Sequence, residues 1–436
     1  MSMDNDIFQN KKVAIAGFGV EGKSSYAYFS AQDADITIFD EMENITDTPK
    51  GSKVVTGPNV FNDLYGFDIV CRSPSVNPSR IKTDGQITSA TKIFFDNCPC
   101  KIIGVTGTKG KGTTVSLIDL MLKEAGIKSH LLGNIGTSAL DLLNDIEPND
   151  VVVYEMSSFQ LWDLDKSPQI AVVLMIESEH LDIHDDLEQY LDAKANISRY
   201  QNEDDITFYH PENKYSQSVA NHGKGNKVKY LSSEACNVDN GQILIDNQDI
   251  INTNEIGLIG QHNLENVCAA VSVVWQITKD VEAIYNVLNT FKGLEHRLEF
   301  VRDVKGVKFY NDTFSTNLSA TIAAVKSFEE PIVLLLGGYD RGQVFDSLVD
   351  ELLISNVRQI VTMGETGPRL ADQLIKAGFE KSNIYEANNF DESFSQALNS
   401  AKPGEVILLS PGCPSFDWFK NYKERGVIFK NKVQNL

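Results

Sequence analysis

The sequence predicts an α/β fold spread over about three domains. Three observations carry that prediction. The chain has 436 residues, too many for a single core. An apolar strand running into a glycine-rich turn recurs near residues 12–22, 101–112 and 331–342. Between and after these turns, strand-like and helix-like patterns alternate in the rhythm of parallel sheets.

Lys12 to Ala16 reads as a strand, followed by G-F-G-V-E-G and an amphipathic helix near Lys23 to Ala31. Ile36 to Phe39 gives a second strand ending at Asp40, roughly where a dinucleotide fold places its ribose acid. The turn holding Gly17, Gly19 and Gly22 thus has three readings: a Rossmann half, a site for another kind of nucleotide, or a tight helix–strand contact. Val54–Val55 and Asp68–Cys71 read as later strands, the second ending in Ser73, Pro74 and Ser75. A loop-like passage through Asp84, Gly85 and Pro99 follows.

The organising stretch is Lys101 to Ser116, K-I-I-G-V-T-G-T-K-G-K-G-T-T-V-S. Ile102 to Thr106 suits a buried strand, Gly107 to Gly110 a loop, and Thr113 to Gly126 a helix. That order makes a phosphate cradle: loop amides and the helix N-terminus aim N–H groups at one spot, and Lys111 adds a point charge. The pattern departs from G-x-x-x-x-G-K-[ST] at Val105 and at Gly112, leaving Thr113 or Thr114 to supply a metal-binding hydroxyl. An ordinary βα turn rich in Gly and Lys is the plainer alternative.

Beyond the cradle, Val151 to Tyr154 ends in E-M-S-S-F-Q, and Ile170 to Ile176 ends in E-S-E-H-L-D-I-H. Ligands collect at the carboxyl ends of parallel strands, so Glu155, Glu179, His180 and Asp182 are expected beside Lys111 as a divalent-metal site. For His180 alone, a hydrogen-bonded half-buried histidine is an equal reading. His184 reads as solvent-facing or as a cap, and Lys194, on pattern alone, as a surface lysine. Gly241 to Ile251 reads as a hairpin, and Asn263 and Asn266 share one face of an apolar helix. From Gly293 a new unit begins, with strands at Pro331–Leu336, Gln359–Met363 and Val406–Ser410 and helices at Gly367–Ala377 and Asp391–Ser400.

Composition narrows the function classes. A net charge of −21 argues against a broad nucleic-acid or anionic-membrane surface. No apolar run reaches the roughly 20 residues that span a bilayer, and the acidic N-terminus lacks a signal-peptide core, so a cytoplasmic protein is expected. The six cysteines read as reduced thiols; Cys98 and Cys100 lack the second pair that a zinc site needs.

Taken together, several motifs resemble the Mur ligase family. They are G-T-K-G-K-G-T-T (107–114), G-N-I-G (133–136), E-M-S-S-F-Q (155–160), E-H-L-D (179–182), Y-L-D-A-K (190–194), G-Q-H-N-L-E-N (260–266), H-R-L-E (296–299), N-D-T-F-S-T-N (311–317) and S-P-G-C-P-S-F-D-W-F-K-N-Y-K-E-R-G (410–426). The resemblance spans nearly the whole chain. S-S-F-Q and the last corner are similar to the D-glutamate-adding branch.

The resemblance implies three domains: a UDP-sugar-binding Rossmann-like domain over 1–98, a central P-loop ATPase domain with a mostly parallel sheet over 99–295, and a Rossmann-like amino-acid-binding domain over 296–436. It implies an ATP-dependent ligase, acting as a monomer, that joins D-glutamate to UDP-N-acetylmuramoyl-L-alanine through an acyl phosphate. Catalysis would fall to Lys111, Glu155, His180 and Lys194. ATP would meet Gly107, Thr108, Lys109, Gly110, Lys111, Gly112, Thr113, Asn266, Arg297 and Asp312. Two Mg2+ ions would be held through Thr113, Glu155, His180 and a carbamylated Lys194, reversing the pattern reading of that lysine. The UDP-sugar would meet Val20, Glu21, Asp40, Ser73 and Pro74, and its muramoyl-alanine portion Asn134, Ser157 and Gln160. The incoming amino acid would meet Thr316, Arg341, Ser415, Phe416 and Tyr422.

Four positions depart from the family pattern: Gly112 after the loop lysine, Glu179 before the histidine, Met175, and Phe314 where the family carries a lysine. Phe314 opens a second expectation, a ligase of the same superfamily adding L-glutamate or another acidic residue. A third is a nucleotide-binding regulatory protein that has lost catalysis.

Overall fold

The computed structural model describes residues 8–43, 45, 47–133, 138–177, 184–258 and 260–436. They fall into two compact units, one of residues up to 256 together with 264–289, the other of 257–263 together with 290–436. Three sizeable sheets account for both, and their strands are mostly parallel.

The first unit opens with β1 (Lys12–Ala16), α1 (Val20–Ser30), β2 (Asp35–Asp40), β3 (Lys53–Thr56), β4 (Ile69–Arg72), β5 (Gln86–Ser89) and α2 (Ala90–Asn97). These strands form a parallel sheet of order β3-β2-β1-β4-β5, whose order reverses between β1 and β4. The expected loop-like passage near residues 84–99 is in fact β5 and α2. Turn residues at both ends had masked a four-residue strand and a helix capped by Ser89, whose Oγ accepts from the Lys92 amide at 3.2 Å.

The chain continues through β6 (Lys101–Thr106), α3 (Lys111–Glu124), β7 (Ser129–Gly133), α4 (Ala139–Leu142), β8 (Val151–Glu155), α5 (Ser158–Leu161), β9 (Ile170–Val173), α6 (Leu187–Arg199), β10 (Ile206–Tyr209), α7 (Lys214–Ala220) and β11 (Asn226–Lys229). Its sheet, β11-β10-β9-β6-β8-β7, is also parallel, and β6 lies centrally. β6, β8 and β9 read as apolar β-branched runs because both faces are covered. One apolar core includes Val13 and Ile15 from the first sheet and Ile102, Val152 and Ala171 from the second. Ser24 on α1 also donates to Asp141 on α4 at 2.6 Å.

The expected hairpin is present as part of a three-stranded antiparallel sheet of β12 (Asn237–Asp239), β13 (Gln242–Ile245) and β14 (Gln248–Asn252). α8 (Gln261–Val274) and α9 (Val281–Thr290) follow.

The second unit contains β15 (Glu299–Val304), β16 (Val307–Asn311), α10 (Leu318–Val325), β17 (Ile332–Gly337), α11 (Asp346–Ile354), β18 (Val357–Met363), α12 (Gly367–Ala377), β19 (Ile384–Glu386), α13 (Phe390–Ser400), β20 (Val406–Leu409) and α14 (Tyr422–Gln434). Its sheet has the order β15-β16-β20-β17-β18-β19, parallel except for the β15–β16 pair. No helix among the described residues is long and apolar enough to cross a membrane.

Candidate active site

The loop between β6 and α3 is a built cradle. Gly110 caps α3 with φ +85°, a left-handed conformation that an L side chain resists. A Cβ there would stand 2.2 Å from Oδ1 of Asn266, so the glycine admits the buried Asn266 amide against the loop. Thr108 fastens the other side: its amide donates to the Met175 carbonyl at 2.9 Å, and its Oγ1 accepts from the Glu177 amide at 2.9 Å. Lys109 pairs with Glu177 at 3.2 Å. The cradle is thereby anchored to the chain leaving β9.

Two lysines converge on this loop. Lys111 Nζ donates to the carbonyls of Gly107 and Thr108 at 3.0 and 2.9 Å. Lys194 Nζ donates to the same Gly107 carbonyl at 3.0 Å and to Thr106 Oγ1 at 3.2 Å. Only 2% of Lys194 is exposed, and its ammonium lies 4.7 Å from the ring centroid of Tyr190. The surface-lysine reading is therefore corrected. Tyr190, Lys194 and Ile197 follow one another at i, i+4 and i+7 on the buried face of α6, a spacing that was legible in advance.

Glu155 ends β8 opposite Val105 of β6 and is 4% exposed. Thr113 is buried in the first turn of α3, next to Gly112. Glu155 and Thr113 thus lie at the carboxyl edge of the second sheet, and Lys194, midway along α6, reaches that edge through its bonds to Thr106 and Gly107. His180, Glu179, Asp182 and Asn134 lie outside the described residues. Among the described residues no three carboxylate, imidazole or thiol side chains cluster as a self-sufficient metal cage. A buried strand-end carboxylate and a buried hydroxyl beside this glycine loop do fit magnesium, which takes few protein ligands when phosphates and water complete its shell.

His184 is neither solvent-facing nor a cap. It is 1% exposed, stacks on Trp162 with centroids 4.4 Å apart, and lies 3.0 Å from Ser158 Oγ through Nε2. Tyr190 meets its edge at 5.3 Å and places its hydroxyl 3.1 Å from Thr108 Oγ1. The S-S-F-Q segment is thereby connected to the cradle through aromatic packing that no single motif announced.

The first glycine turn sits where the order of the first sheet reverses, the usual crevice of such a fold. Asp40 Oδ2 accepts from the Phe18 amide at 2.7 Å and Oδ1 from the Met42 amide at 2.9 Å, so this acid braces the turn. Ser73 Oγ donates to the Gly17 carbonyl at 2.6 Å, Pro74 follows it half-buried, and Val20 is 74% exposed. Ser157 and Gln160 form a capping box on α5, and Gln160 Nε2 donates to Glu21 Oε1 at 2.8 Å. Glu21 Oε2 is buried with no hydrogen-bond partner among the described residues. Burial raises the Glu21 carboxyl above its ordinary range, against the opposing pull of Gln160 and of Arg72. The buried Arg72 itself pairs with Asp163 and donates to the Phe159 carbonyl at 2.9 Å, a tie from β4 to α5 that the sequence did not single out.

In the second unit, Asp312 is 1% exposed and accepts from the Leu298 amide at 3.1 Å and from Ser410 Oγ at 2.7 Å. Burial pushes its carboxyl up to about 6, opposed by those bonds and by Arg297. Phe314 is 48% exposed, with Tyr422 edge-on at 5.2 Å and the Arg297 guanidinium 6.0 Å from its ring. Thr316 is half-buried, its amide donating to the Phe314 carbonyl at 2.8 Å. Where β17 and β20 adjoin, the Gly337 amide donates to the Pro411 carbonyl at 2.8 Å, joining the two loops. Arg341 lies exposed there, 5.7 Å from the Phe416 ring. Ser415 is buried, and its Oγ lacks a hydrogen-bond partner among the described residues.

Comparison with known proteins gives this geometry a family. Residues 105–274 match the Mur ligase middle domain, and 296–413 match the Mur ligase, glutamate ligase domain. The chain is 36% identical to UDP-N-acetylmuramoylalanine--D-glutamate ligase of Acetivibrio thermocellus and 35% identical to that of Clostridium tetani, in each case over 98% of this chain and 97% of the relative. Its fold is similar to that of the MurF ligase of Thermotoga maritima in complex with ADP, with a TM-score of 0.59, 15% identity and coverage of 100% of this chain and 97% of that one. The chain belongs to the Mur ligase family.

Proposed function

We propose that this protein is an ATP-dependent ligase that joins D-glutamate to UDP-N-acetylmuramoyl-L-alanine. The observation that carries the reading is the convergence of Lys111 and Lys194 on the Gly107 carbonyl, inside a loop whose glycine admits Asn266. Relatives bearing that enzyme name over nearly the full chain supply the substrates, and a neighbour of the same fold is a ligase in complex with ADP.

In this reading the amides of Gly107 to Thr113 and the N-terminus of α3 cradle the phosphates of ATP, and Lys111 exchanges its loop carbonyls for the outer phosphate oxygens. Asn266 closes the far wall, with Arg297 and Asp312 as further ATP contacts. The γ-phosphoryl group passes to the alanine carboxylate: one P–O bond breaks to ADP and one forms to the acid. The glutamate amine then attacks the acyl carbon, loses its proton, and phosphate leaves. No protein nucleophile takes part. Positioning and charge neutralisation lower the barrier.

Magnesium would be held by Thr113, Glu155, His180 and Lys194, and it supplies charge neutralisation at the phosphates. A carbamate on Lys194 would turn a costly buried cation into an anionic ligand. Val20, Glu21, Asp40, Ser73 and Pro74 would hold the uridine diphosphate, with Asn134, Ser157 and Gln160 toward the sugar acid. Thr316, Arg341, Ser415, Phe416 and Tyr422 would hold the incoming amino acid. The guanidinium of Arg341 can grip a carboxylate bidentately, and the buried hydroxyl of Ser415 has bonding capacity to offer.

The division into domains at 98 and 295 belongs to this proposal, as does a cytoplasmic monomer.

The test is phosphate release by the purified protein with ATP, magnesium, bicarbonate, UDP-N-acetylmuramoyl-L-alanine and a panel of amino acids. Release that requires D-glutamate supports the proposal. Preference for another acidic residue would transfer the reading to a sister activity through Phe314, and release indifferent to every acceptor would end it.

A further inference from the structure

Six cysteines occur in the sequence and all six are described. Four are shut inside: Cys71 is 1% exposed, and Cys236, Cys268 and Cys413 are fully buried. Burial pushes the Cys71 thiol up to about 12 and raises those of Cys236 and Cys413. Burial shuts these thiols away from small disulfides, the Cys236 thiol and the Cys268 sulfur it meets included.

Cys98 and Cys100 are different. Cys98 is half-buried and Cys100 is buried beside it, their Sγ atoms 3.7 Å apart, a geometry in which one S–H donates to the other sulfur. The pair occupies the connection between the two parallel sheets of the first unit. Cys98 is the C-cap of α2, its amide donating to the Phe94 carbonyl at 2.8 Å, and Lys101 begins β6. Pro99 between them fixes one backbone angle of the short link. A disulfide requires the sulfurs to close from 3.7 Å to roughly 2 Å.

We propose that Cys98 and Cys100 are a reactive dithiol, a modification site that reacts with small disulfides and closes to an internal disulfide. Cys98 attacks, because it is the less buried residue of the two and the Cys100 hydrogen bond holds its thiol below the ordinary range. Its thiolate displaces one thiolate from the small disulfide and leaves a mixed disulfide on Cys98. Cys100, whose own thiol that same contact pushes up, then loses its proton and attacks the Cys98 sulfur, expelling the second thiol. Two protein thiols are oxidised to one disulfide, and the small disulfide is reduced to two thiols. Because the closed loop is so short, it removes little chain entropy from the unfolded state, so the bond is readily reduced again.

The experiment treats the full chain with glutathione disulfide, traps remaining thiols by alkylation, and maps the products by mass spectrometry. The wild type is expected to lose two hydrogens, carry the bond between residues 98 and 100, retain no glutathione, and return to the dithiol with excess reductant. Cys100→Ser should stop with one glutathione on Cys98, and Cys98→Ser should react at least about tenfold more slowly. Circular dichroism melts confirm that each variant is folded; if Cys100→Ser is not, Cys100→Ala takes its place. A wild type that stays reduced, that keeps glutathione, or that oxidises first at another cysteine overturns the proposal.

Discussion

Two glycine turns in the first unit share one local plan, strand, glycine loop and helix, yet they differ in charge. The turn after β1 starts its helix with the exposed Val20 and a buried carboxyl at Glu21, and it is braced from outside by Asp40 and Ser73. The turn after β6 starts its helix with Lys111 and receives the buried Lys194 from α6. Glycine spacing therefore reports only how closely backbone can pass backbone. In the first turn a Cβ on Gly22 would stand 2.1 Å from the Gly17 carbonyl oxygen, which is helix packing. What differs is where the lysines point: Lys23 after the first turn pairs outward with Asp47, whereas Lys111 and Lys194 both donate to the Gly107 carbonyl inside the second, which is where the proposed function places the transferable phosphoryl group.

The sharpest way to break the contrast is Lys111→Ala. On this account kcat falls by at least about 10³-fold, measured as acceptor-dependent phosphate release, because the charge opposite the outer phosphates is lost. Next comes Lys194→Ala, with an expected loss of about 10²-fold or more and partial recovery on adding short carboxylates such as formate, which would replace the carbamate. Full activity in that variant would remove the carbamate from the scheme.

Gly110→Ala should cost less but on two readouts. The new Cβ meets Asn266 Oδ1 at 2.2 Å in a left-handed conformation, so about 1–3 kcal/mol of stability and roughly tenfold in nucleotide affinity should be lost. An unchanged melting temperature and affinity would show that Asn266 does not wall the cradle.

The smallest effect is expected at the first turn, in Glu21→Gln. Burial raises the folded-state carboxyl above its unfolded value, so ionising it opposes folding. The wild type should lose stability relative to Glu21→Gln as pH rises from the ordinary carboxylate range through the raised folded value, followed by thermal melts across that interval. A difference that grows in the opposite direction would place a net positive environment around Glu21.

Much of this was legible in the sequence. The central strands of the three large sheets, β1 and β4, β6, β8 and β9, and β17 and β20, were marked by short apolar runs, whereas β7, β10, β11, β15, β16 and β19 were not singled out, and α12 begins and ends where Gly367 and Ala377 were expected. What stayed hidden had physical reasons. β5 and α2 are short and flanked by turn residues, so punctuation outweighed pattern. Lys194 was misjudged on pattern because a lysine is usually solvated, although its i, i+4 partner Tyr190 already placed it on the inner face of α6. His184 is held by stacking on Trp162 and Phe159, a contact made by chain folding and invisible to local spacing. Arg72 and Asp163 lie 91 positions apart, and nothing in either neighbourhood announces the pair.

The central claim is that the two turns divide two ligands between them. Titration calorimetry on wild type and Lys111→Ala tests it directly, with a non-hydrolysable ATP analogue plus magnesium in one series and UDP-N-acetylmuramoyl-L-alanine in the other. The account predicts a loss of at least about tenfold for the nucleotide and a change within about twofold for the UDP-sugar. Equal weakening of both ligands, or of neither, would contradict it.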